Sequence, residues 1–320
     1  MNAAVVHAFD APPRCTSFAD PVALDGEISV EVTAVGLHPI VKALANGSHY
    51  GSSGELPFIA GLDGVGRTAD GRRVYFGIAR SPFGSFAERT LAASWVCLPL
   101  PDGLDDVVCA GIANPAMSSW MALTGRAKLV AGENVLILGA TGVAGQLAVQ
   151  IARRLGARRV TTVGRNPQAL EKLKSLGADS VLSLGLDRDA LIAEFRQEHA
   201  QFGVDVVLDF VWGSPAETLL QAIGQRGLQK AARRIRFVQI GEAAGADISI
   251  AAATLRSSGL ELLGSGSGSA SLDQIRGALA EFFVQAAQDP FQFAVKAAPL
   301  RDVEALWNAP EQGTRLVFVP

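Results

Sequence analysis

Three glycines, Gly139, Gly142 and Gly145, recur at even spacing directly after an apolar run at residues 135–138. A run without polar residues is typical of a parallel strand that is buried on both faces. A glycine-rich turn after such a strand lets backbone N–H groups and a helix N-terminus face a phosphate closely, because no side chain intervenes. The sequence therefore predicts a pyrophosphate-binding turn made by Gly139, Ala140, Thr141, Gly142, Val143, Ala144 and Gly145.

The elements around this turn have the pattern that such a site needs. Apolar residues with helical spacing follow it, from Leu147 to Leu155, and Gly156 ends the predicted helix. The next run, residues 160–163, is rich in β-branched residues and predicts a second strand. A strand, a glycine turn, a helix and a strand in this order favour a dinucleotide site over a turn that serves only helix–sheet packing.

The end of the second predicted strand indicates which dinucleotide binds. Sites for NAD place an acidic residue about twenty residues beyond the glycines, where it accepts a hydrogen bond from the ribose 2′-OH. Here the strand ends in Gly164, Arg165 and Asn166, without an acid. A guanidinium group matches a 2′-phosphate, so NADP(H) is the predicted cofactor. The alternative is that Arg165 is a solvated residue at a loop tip.

Composition limits the class of protein. The chain has 320 residues, 49% hydrophobic and 18% charged, with a net charge of −3. This length suits two domains, and this balance suits a compact α/β protein without a strong attraction to nucleic acid. Neither a signal peptide nor a bilayer-spanning apolar stretch is predicted. The scattered cysteines Cys15, Cys97 and Cys109 disfavour disulfides, so a cytoplasmic protein is expected.

The chain changes character near Asn114. Before it, short β-type runs alternate with Gly, Pro and Asp turns, which predicts a mostly β domain. After it, further strands are predicted at residues 180–182, 204–210, 235–240 and 260–263, with helices between them. The fold class is therefore α/β, with one doubly wound parallel sheet of about six strands. A helix at residues 272–287 and a strand at 315–319 close the chain.

This layout resembles the medium-chain dehydrogenase/reductase superfamily, and most closely its zinc-free quinone oxidoreductase branch. The resemblance spans essentially the whole chain and depends on residues 57–66, 139–145, 209–213, 237–241 and 313–319. It implies a GroES-like domain from residues 1–112 and 265–320, a Rossmann domain from residues 113–264, an active site between them, and a homodimer. It also implies a cofactor path lined by Phe210, Val211, Trp212, Ile240, Gly241, Gly264, Ser265 and Gly266. The glycine–serine stretch at 264–269 would equally suit a flexible linker.

No metal site is predicted. A catalytic zinc ion needs three protein ligands and one open position. Where zinc-dependent relatives carry a cysteine and a Gly-His-Glu sequence, this chain has Leu37-His38 and Gly61-Leu62-Asp63. Without a metal, the site must hold a hydride donor against an electron-poor acceptor in a dry cleft. Quinones and conjugated enones suit this chemistry, because the negative charge that develops on them is delocalised.

The proton donor is left open by the sequence. Relatives commonly carry an asparagine where this chain has His38. The candidates for donating a hydrogen bond or proton to the reduced acceptor are His38, Lys42 and Tyr50, with His49 beside them.

Two other functions remain as alternatives. One is reduction of an enoyl thioester of the acryloyl-CoA type. The other is an NADPH-binding sensor or RNA-binding protein with little turnover, supported only by the basic cluster Arg226, Lys230, Arg233, Arg234 and Arg236. That cluster lacks the interleaved aromatic residues typical of nucleic-acid sites, so a solvated face is favoured for it.

Overall fold

A computed structural model describes residues 1–52, 54–78, 80–224, 232–266, 268–310 and 313–320. The chain divides into two compact units. The terminal unit comprises Met1–Pro115 and Leu279–Pro320, and the central unit comprises Ala116–Ala278. The domain limits inferred from the sequence, residues 112/113 and 264/265, stay predictions.

The strands, in chain order, are β1 (Asn2–Val6), β2 (Arg14–Ser17), β3 (Glu27–Gly36), β4 (Phe58–Ile59), β5 (Asp63–Thr68), β6 (Arg73–Gly77), β7 (Arg89–Ala93), β8 (Leu98–Pro99), β9 (Asn134–Leu138), β10 (Arg159–Gly164), β11 (Ser180–Ser183), β12 (Val206–Asp209), β13 (Arg234–Gln239), β14 (Gly259–Gly264), β15 (Ala294–Pro299) and β16 (Thr314–Val319). The α-helices are α1 (Pro39–Ala45), α2 (Asp106–Met121), α3 (Val143–Arg154), α4 (Pro167–Lys172), α5 (Arg188–Phe202), α6 (Gly213–Ile223), α7 (Ala252–Ser257), α8 (Leu272–Gln288) and α9 (Val303–Leu306).

The terminal unit is mostly β, as predicted. One sheet has the order β15-β16-β3-β5-β6-β8, with β7 paired to β3, and a smaller sheet has the order β2-β1-β4. The last strand of the chain, β16, pairs antiparallel with β3, so the two ends of the chain share one sheet. Buried apolar side chains from both ends, among them Val35, Phe86 and Phe318, form its core.

The central unit is a parallel sheet with the order β11-β10-β9-β12-β13-β14. Strand β9 is buried along its whole length, and the apolar side of α3 is buried as well. Since α3 joins β9 to β10 and these strands are parallel, the predicted strand–helix–strand unit is confirmed. The predicted doubly wound sheet of about six strands and the α/β class are confirmed too.

One helix begins earlier than the sequence suggested. The sequence predicts a helix over residues 118–128, but α2 already begins at Asp106 and continues through Pro115. The Asp105 carboxylate accepts hydrogen bonds from the backbone N–H groups of Val107 and Val108, which caps the helix start. Buried residues such as Cys109 and Ile112 then hold the first turns by packing, which outweighs the cost of an internal proline. A short π-helical turn, Ala122–Arg126, follows α2.

Within the described residues, no helix is long and apolar enough to cross a membrane.

Candidate cofactor and active site

The three glycines of the turn after β9 have different surroundings. Gly139 has a φ of +83°, which L side chains rarely adopt, and it ends the strand. A Cβ on Gly145 would lie 2.5 Å from the Ala140 Cα and the Gly139 carbonyl oxygen, so helix and turn need a glycine there. A Cβ on Gly142 would meet only the Gly139 carbonyl oxygen, at 3.7 Å. Packing therefore requires Gly139 and Gly145, whereas Gly142 faces open space that a ligand can use.

Helix α3 starts directly behind this open position. Gly142 is its N-cap residue and has no side chain with which to cap the helix. The first N–H groups of a helix have no partner inside the helix, and the helix dipole adds positive charge at that end. The turn thus has the geometry of an anion site, and the binding of a pyrophosphate by residues 139–145 stays a prediction.

The end of β10 lies beside the turn. Gly164 is buried, and a Cβ there would lie 2.7 Å from the Thr141 side chain. Arg165 is exposed and makes no hydrogen bond or ion pair within the described part of the chain. Asn166 caps α4, and its side-chain oxygen accepts from the Ala169 N–H at 3.1 Å. The Arg165 guanidinium is consequently available to a ligand beside the glycine turn.

Asp209, the last residue of β12, ties together two loops at the same edge of the sheet. Its Oδ1 accepts from the N–H groups of Val211 and Trp212 at 2.8 and 2.9 Å. Its carbonyl oxygen accepts from the N–H groups of Ile240 and Gly241 at 2.8 and 3.1 Å. A single residue therefore fixes the backbone of the segments after β12 and after β13.

The backbone at Trp212 is strained. Its φ of +53° and ψ of −152° lie in a region that residues with a side chain seldom occupy. The Asp209 carboxylate holds this conformation through its two hydrogen bonds. Asp209 is fully buried, and its Oδ2 has no hydrogen-bond partner among the described residues. Burial raises the pKa of this carboxyl to about 6, and the two N–H donors oppose that rise.

The predicted cofactor residues therefore meet at one edge. All neighbouring strands of the sheet are parallel, and the pairing aligns Leu138, Asp209, Gln239 and Gly264 in one row. Ligands of doubly wound sheets bind outside the carboxyl ends of the strands. The segments 139–145, 164–166, 210–212, 240–241 and 264–266 all follow such ends. Sequence reasoning missed Asp209, although an acidic residue that closes an apolar strand was a visible signal.

The predicted catalytic residues lie in the terminal unit, in different environments. His38 is fully buried at the start of α1, and Lys42 is half-buried one turn further on. Tyr50 is 79% exposed, and its ring packs against that of His49 at an interplanar angle of 31°, with centroids 4.1 Å apart. The His49 ring is held in turn, because its Nδ1 accepts from the Gly51 N–H at 3.0 Å.

The His38 imidazole is neutral at pH 7. Burial lowers its pKa well below 6.5 and the positive charge of Arg315 lowers it further, while the Ala110 carbonyl opposes these effects. As a neutral ring, it has one N–H to donate but no imidazolium proton to release.

A buried polar cluster, consisting of His38, Asp63, Tyr75 and Arg315, occupies this part of the terminal unit. The Tyr75 hydroxyl donates to Asp63 Oδ2 at 2.5 Å, and Arg315 Nη1 donates to the Leu37 carbonyl oxygen at 2.7 Å. Burial raises the pKa of Asp63 to about 6, against the opposing effects of Tyr75 and Arg315. In the sequence, Asp63 stands out only as a possible metal ligand, and no role could be predicted for Tyr75 or Arg315.

The described arginines of the basic cluster are paired with acids. Arg233 binds Asp205, Arg234 binds Glu261, and the buried Arg236 binds Glu133. Arg234 and Arg236 belong to β13 rather than to a solvated helix face. Arg226 and Lys230 lie outside the described residues. The described part of the cluster thus serves the fold by neutralising acids around β13.

Comparison with known proteins finds similar sequences among dehydrogenases, quinone reductases and polyketide synthases. A family model described as a zinc-binding dehydrogenase matches residues 143–283. The chain is 29% identical to a probable NADPH-dependent quinone reductase from Emericella nidulans, with 100% of both chains covered. It is 32% identical over 68% of its length to a mycocerosic acid synthase-like polyketide synthase from Mycobacterium tuberculosis, where the match covers 10% of that protein.

Among solved structures, the quinone oxidoreductase from Thermus thermophilus, also determined with NADPH, has a TM-score of 0.78 at 27% identity, with 100% of both chains covered. The fold and these relatives define the chain as an oxidoreductase with a GroES-like and a Rossmann domain, as predicted. Over its whole length the chain is similar to members of the quinone oxidoreductase branch of the medium-chain dehydrogenase/reductase superfamily.

The residues of the chain do not fit the zinc ion that the name of the family model implies. Within the described residues, no three His, Cys, Asp or Glu side chains come together as a metal site. Asp63 accepts from Tyr75, and the charge of Arg315 acts on both His38 and Asp63. A fixed guanidinium beside these two potential ligands opposes the binding of a divalent cation.

The buried carboxyls make stability dependent on pH. Asp63 and Asp209 have a pKa raised from 3.8 to about 6, so the stability that each protonated group contributes is lost as the pH rises through about 6. Between about pH 5 and about pH 7.5, the expected loss is about 1.4 kcal/mol for each group. Asp63→Asn and Asp209→Asn should each remove one such loss, as measured by urea unfolding at both pH values. An unchanged pH dependence in both variants would show that these carboxyls are already ionised at pH 5.

The glycine turn gives a second prediction. Gly142→Ala should weaken NADPH binding about tenfold or more while leaving the melting temperature nearly unchanged, because its Cβ would enter only open space. Gly145→Ala is the matched control, which should lower the melting temperature because its Cβ overlaps backbone atoms. Calorimetric titration and thermal unfolding measure the two effects. Full NADPH affinity in Gly142→Ala would mean that the pyrophosphate does not lie at this turn.

Proposed function

We propose that the chain transfers hydride from NADPH to a quinone or a conjugated enone without a metal ion. The observation that carries this proposal lies at the carboxyl ends of the parallel strands, where the open turn at Gly142 lies beside Arg165, which has no partner within the described residues. The cofactor is NADP(H), in agreement with the Emericella nidulans and Thermus thermophilus relatives. The guanidinium of Arg165 binds the 2′-phosphate and the start of α3 binds the pyrophosphate.

The bound cofactor supplies the hydride, and the protein supplies position and charge. Asp209 fixes the segments that follow β12 and β13 at the carboxyl ends of the parallel strands. The acceptor therefore meets a preorganised protein surface. The acceptor gains negative charge on an oxygen atom as it is reduced. A quinone or enone spreads this charge over its conjugated system, and a hydrogen-bond donor is then sufficient to stabilise it.

Tyr50 is the proposed donor to that oxygen. Its hydroxyl is exposed, and its ring is supported by His49, which is itself fixed by the Gly51 N–H. Lys42 on α1 is the second candidate. His38 is enclosed and neutral, so we assign it a role in holding the start of α1 rather than in releasing a proton.

The protein acts as a homodimer in this proposal. Strand β14 is the last strand of the parallel sheet next to β13, and its residue Leu262 is 41% exposed. The outer side of β14 has no partner strand among the described residues and carries one exposed leucine, which favours pairing with a second copy. The three cysteines are free thiols, which suits the cytoplasm as the proposed compartment.

The decisive experiment measures NADPH oxidation by EDTA-treated protein with a simple quinone. We expect rapid turnover that strongly prefers NADPH to NADH. In the same assay, an enoyl thioester should be reduced more slowly than the quinone. Faster reduction of the thioester would replace the proposed acceptor class, and NADPH binding without turnover on any acceptor would favour the sensor alternative. Activity lost to EDTA and restored by zinc would contradict metal independence.

An Arg165→Asp variant serves as the cofactor control in this assay. It should lose about 1–3 kcal/mol of NADPH binding and part of the preference over NADH, because the carboxylate repels the 2′-phosphate. Unchanged NADPH affinity would mean that another residue recognises the phosphate.

The dimer prediction concerns β14, the strand at the end of the parallel sheet. Leu262→Lys should shift the protein towards monomers in sedimentation equilibrium, because it places a charge on the pairing strand. Leu186→Lys is the matched control, since Leu186 is 43% exposed and follows β11 at the opposite edge of the sheet. A dimer that survives Leu262→Lys but not Leu186→Lys would place the interface at the β11 edge instead.

A further inference from the structure

Arg126 lies at the end of the π-helical turn and contacts the glycine–serine loop that follows β14. Its Nε donates to the Gly264 carbonyl oxygen at 2.8 Å, and its Nη1 donates to the Ser269 carbonyl oxygen at 3.3 Å. One planar guanidinium therefore binds both ends of the loop. Two donors in a fixed geometry set the separation and direction of the two carbonyl groups.

Among its described residues, few other contacts order the loop. Side chains added at Gly264 or Gly268 would meet nothing within 4 Å, so packing does not explain these glycines. Gly and Ser segments without packing are flexible, and ordering each residue costs about 1–2 kcal/mol of conformational entropy. The internal hydrogen bonds, Gly266 N–H to Ser269 Oγ and Ser269 N–H to the Gly266 carbonyl, close a small turn within the loop.

The turn that carries Arg126 is itself well fixed. The Ala127 N–H donates to the Ala122 carbonyl at 2.7 Å, and the Leu129 N–H donates to the Leu123 carbonyl at 2.8 Å. Ala122, Leu123 and Ala127 are buried. The guanidinium is thus presented from a packed segment and can order the loop, whereas the loop could not order Arg126.

The position of the loop determines which half of the cofactor it affects. The glycine turn follows β9 and Arg165 follows β10, so the adenosine half extends over β10. The other half then extends over β12, β13 and β14, on the opposite side of β9. The loop continues this row directly, because the Ser265 N–H donates to the Gln239 carbonyl at 2.8 Å.

We propose that Arg126 is a positioning residue that preorganises the loop at residues 264–269 for the nicotinamide half of NADPH. This inference rests on the proposed function, since it takes the placement of the cofactor from it. The guanidinium touches neither the cofactor nor the acceptor. It acts through the backbone of the loop, by reducing the ordering that binding would otherwise require.

The test compares two ligands that differ by the nicotinamide half: NADPH and adenosine 2′,5′-bisphosphate. In Arg126→Met, the Kd for NADPH should rise about tenfold, while that for the bisphosphate stays within about twofold of the original protein. Arg126→Lys, which keeps the charge and one donor, should recover part of the loss. Arg234→Met is the matched control, because Arg234 binds Glu261 of β14 outside the loop, and it should change neither affinity.

Hydrogen exchange without ligand tests whether Arg126 orders the loop, independently of the cofactor. The amides of Ser265, Gly266, Gly268 and Ser269 should exchange faster in Arg126→Met and at the original rate in Arg234→Met. Unchanged exchange, or an equal loss of affinity for both ligands, would overturn the proposal. If Arg165→Asp leaves both affinities intact, the proposed placement of the cofactor is wrong. Faster exchange in Arg126→Met would then support only the ordering of the loop by Arg126.

Discussion

The parallel pairing of β9 with β10 on one side and β12 on the other is the constraint on which the candidate site depends. It is made by backbone hydrogen bonds among fully buried residues, so a shift in register would displace the whole apolar strand. Because the strands run in the same direction, each following loop starts at the same edge. The glycine turn, Arg165 and the Asp209 loops are far apart in the sequence and become neighbours only through this pairing.

Buried charge is used differently in the two units. In the central unit, the Asp209 carboxylate compensates part of its burial with two backbone N–H donors, and the strained Trp212 backbone is held in place as a result. In the terminal unit, Asp63 has Tyr75 as donor and Arg315 as a nearby positive charge. Both carboxyls still have a raised pKa, so both arrangements cost stability at neutral pH. Natural proteins tolerate such costs where a fixed backbone or a fixed charge serves function.

The sequence was sufficient to predict the features that follow from local pattern. The apolar strand at 135–138, the glycine spacing and the missing acid beside Arg165 each have a direct physical meaning, and the parallel sheet they predicted is confirmed. The predicted start of helix α2 at Ser118 was wrong, because the earlier turns of α2 are held by the burial of residues such as Cys109. The contacts of Arg126 and Arg315 could not be predicted, because each joins segments more than a hundred residues apart. The roles of His38, Lys42 and Tyr50 stay predictions.

Arg315 also explains how this chain differs from the zinc-binding members that gave the family model its name. A metal site needs ligands with free lone pairs and a surplus of negative charge around them. Here, one of the two potential ligands accepts from a tyrosine, and a buried guanidinium already supplies the positive charge that a zinc ion would bring. A guanidinium bound to the Leu37 carbonyl cannot polarise an acceptor oxygen as a Lewis acid does. This arrangement supports the proposed acceptors, because quinones and conjugated enones stabilise their own developing charge without a metal ion.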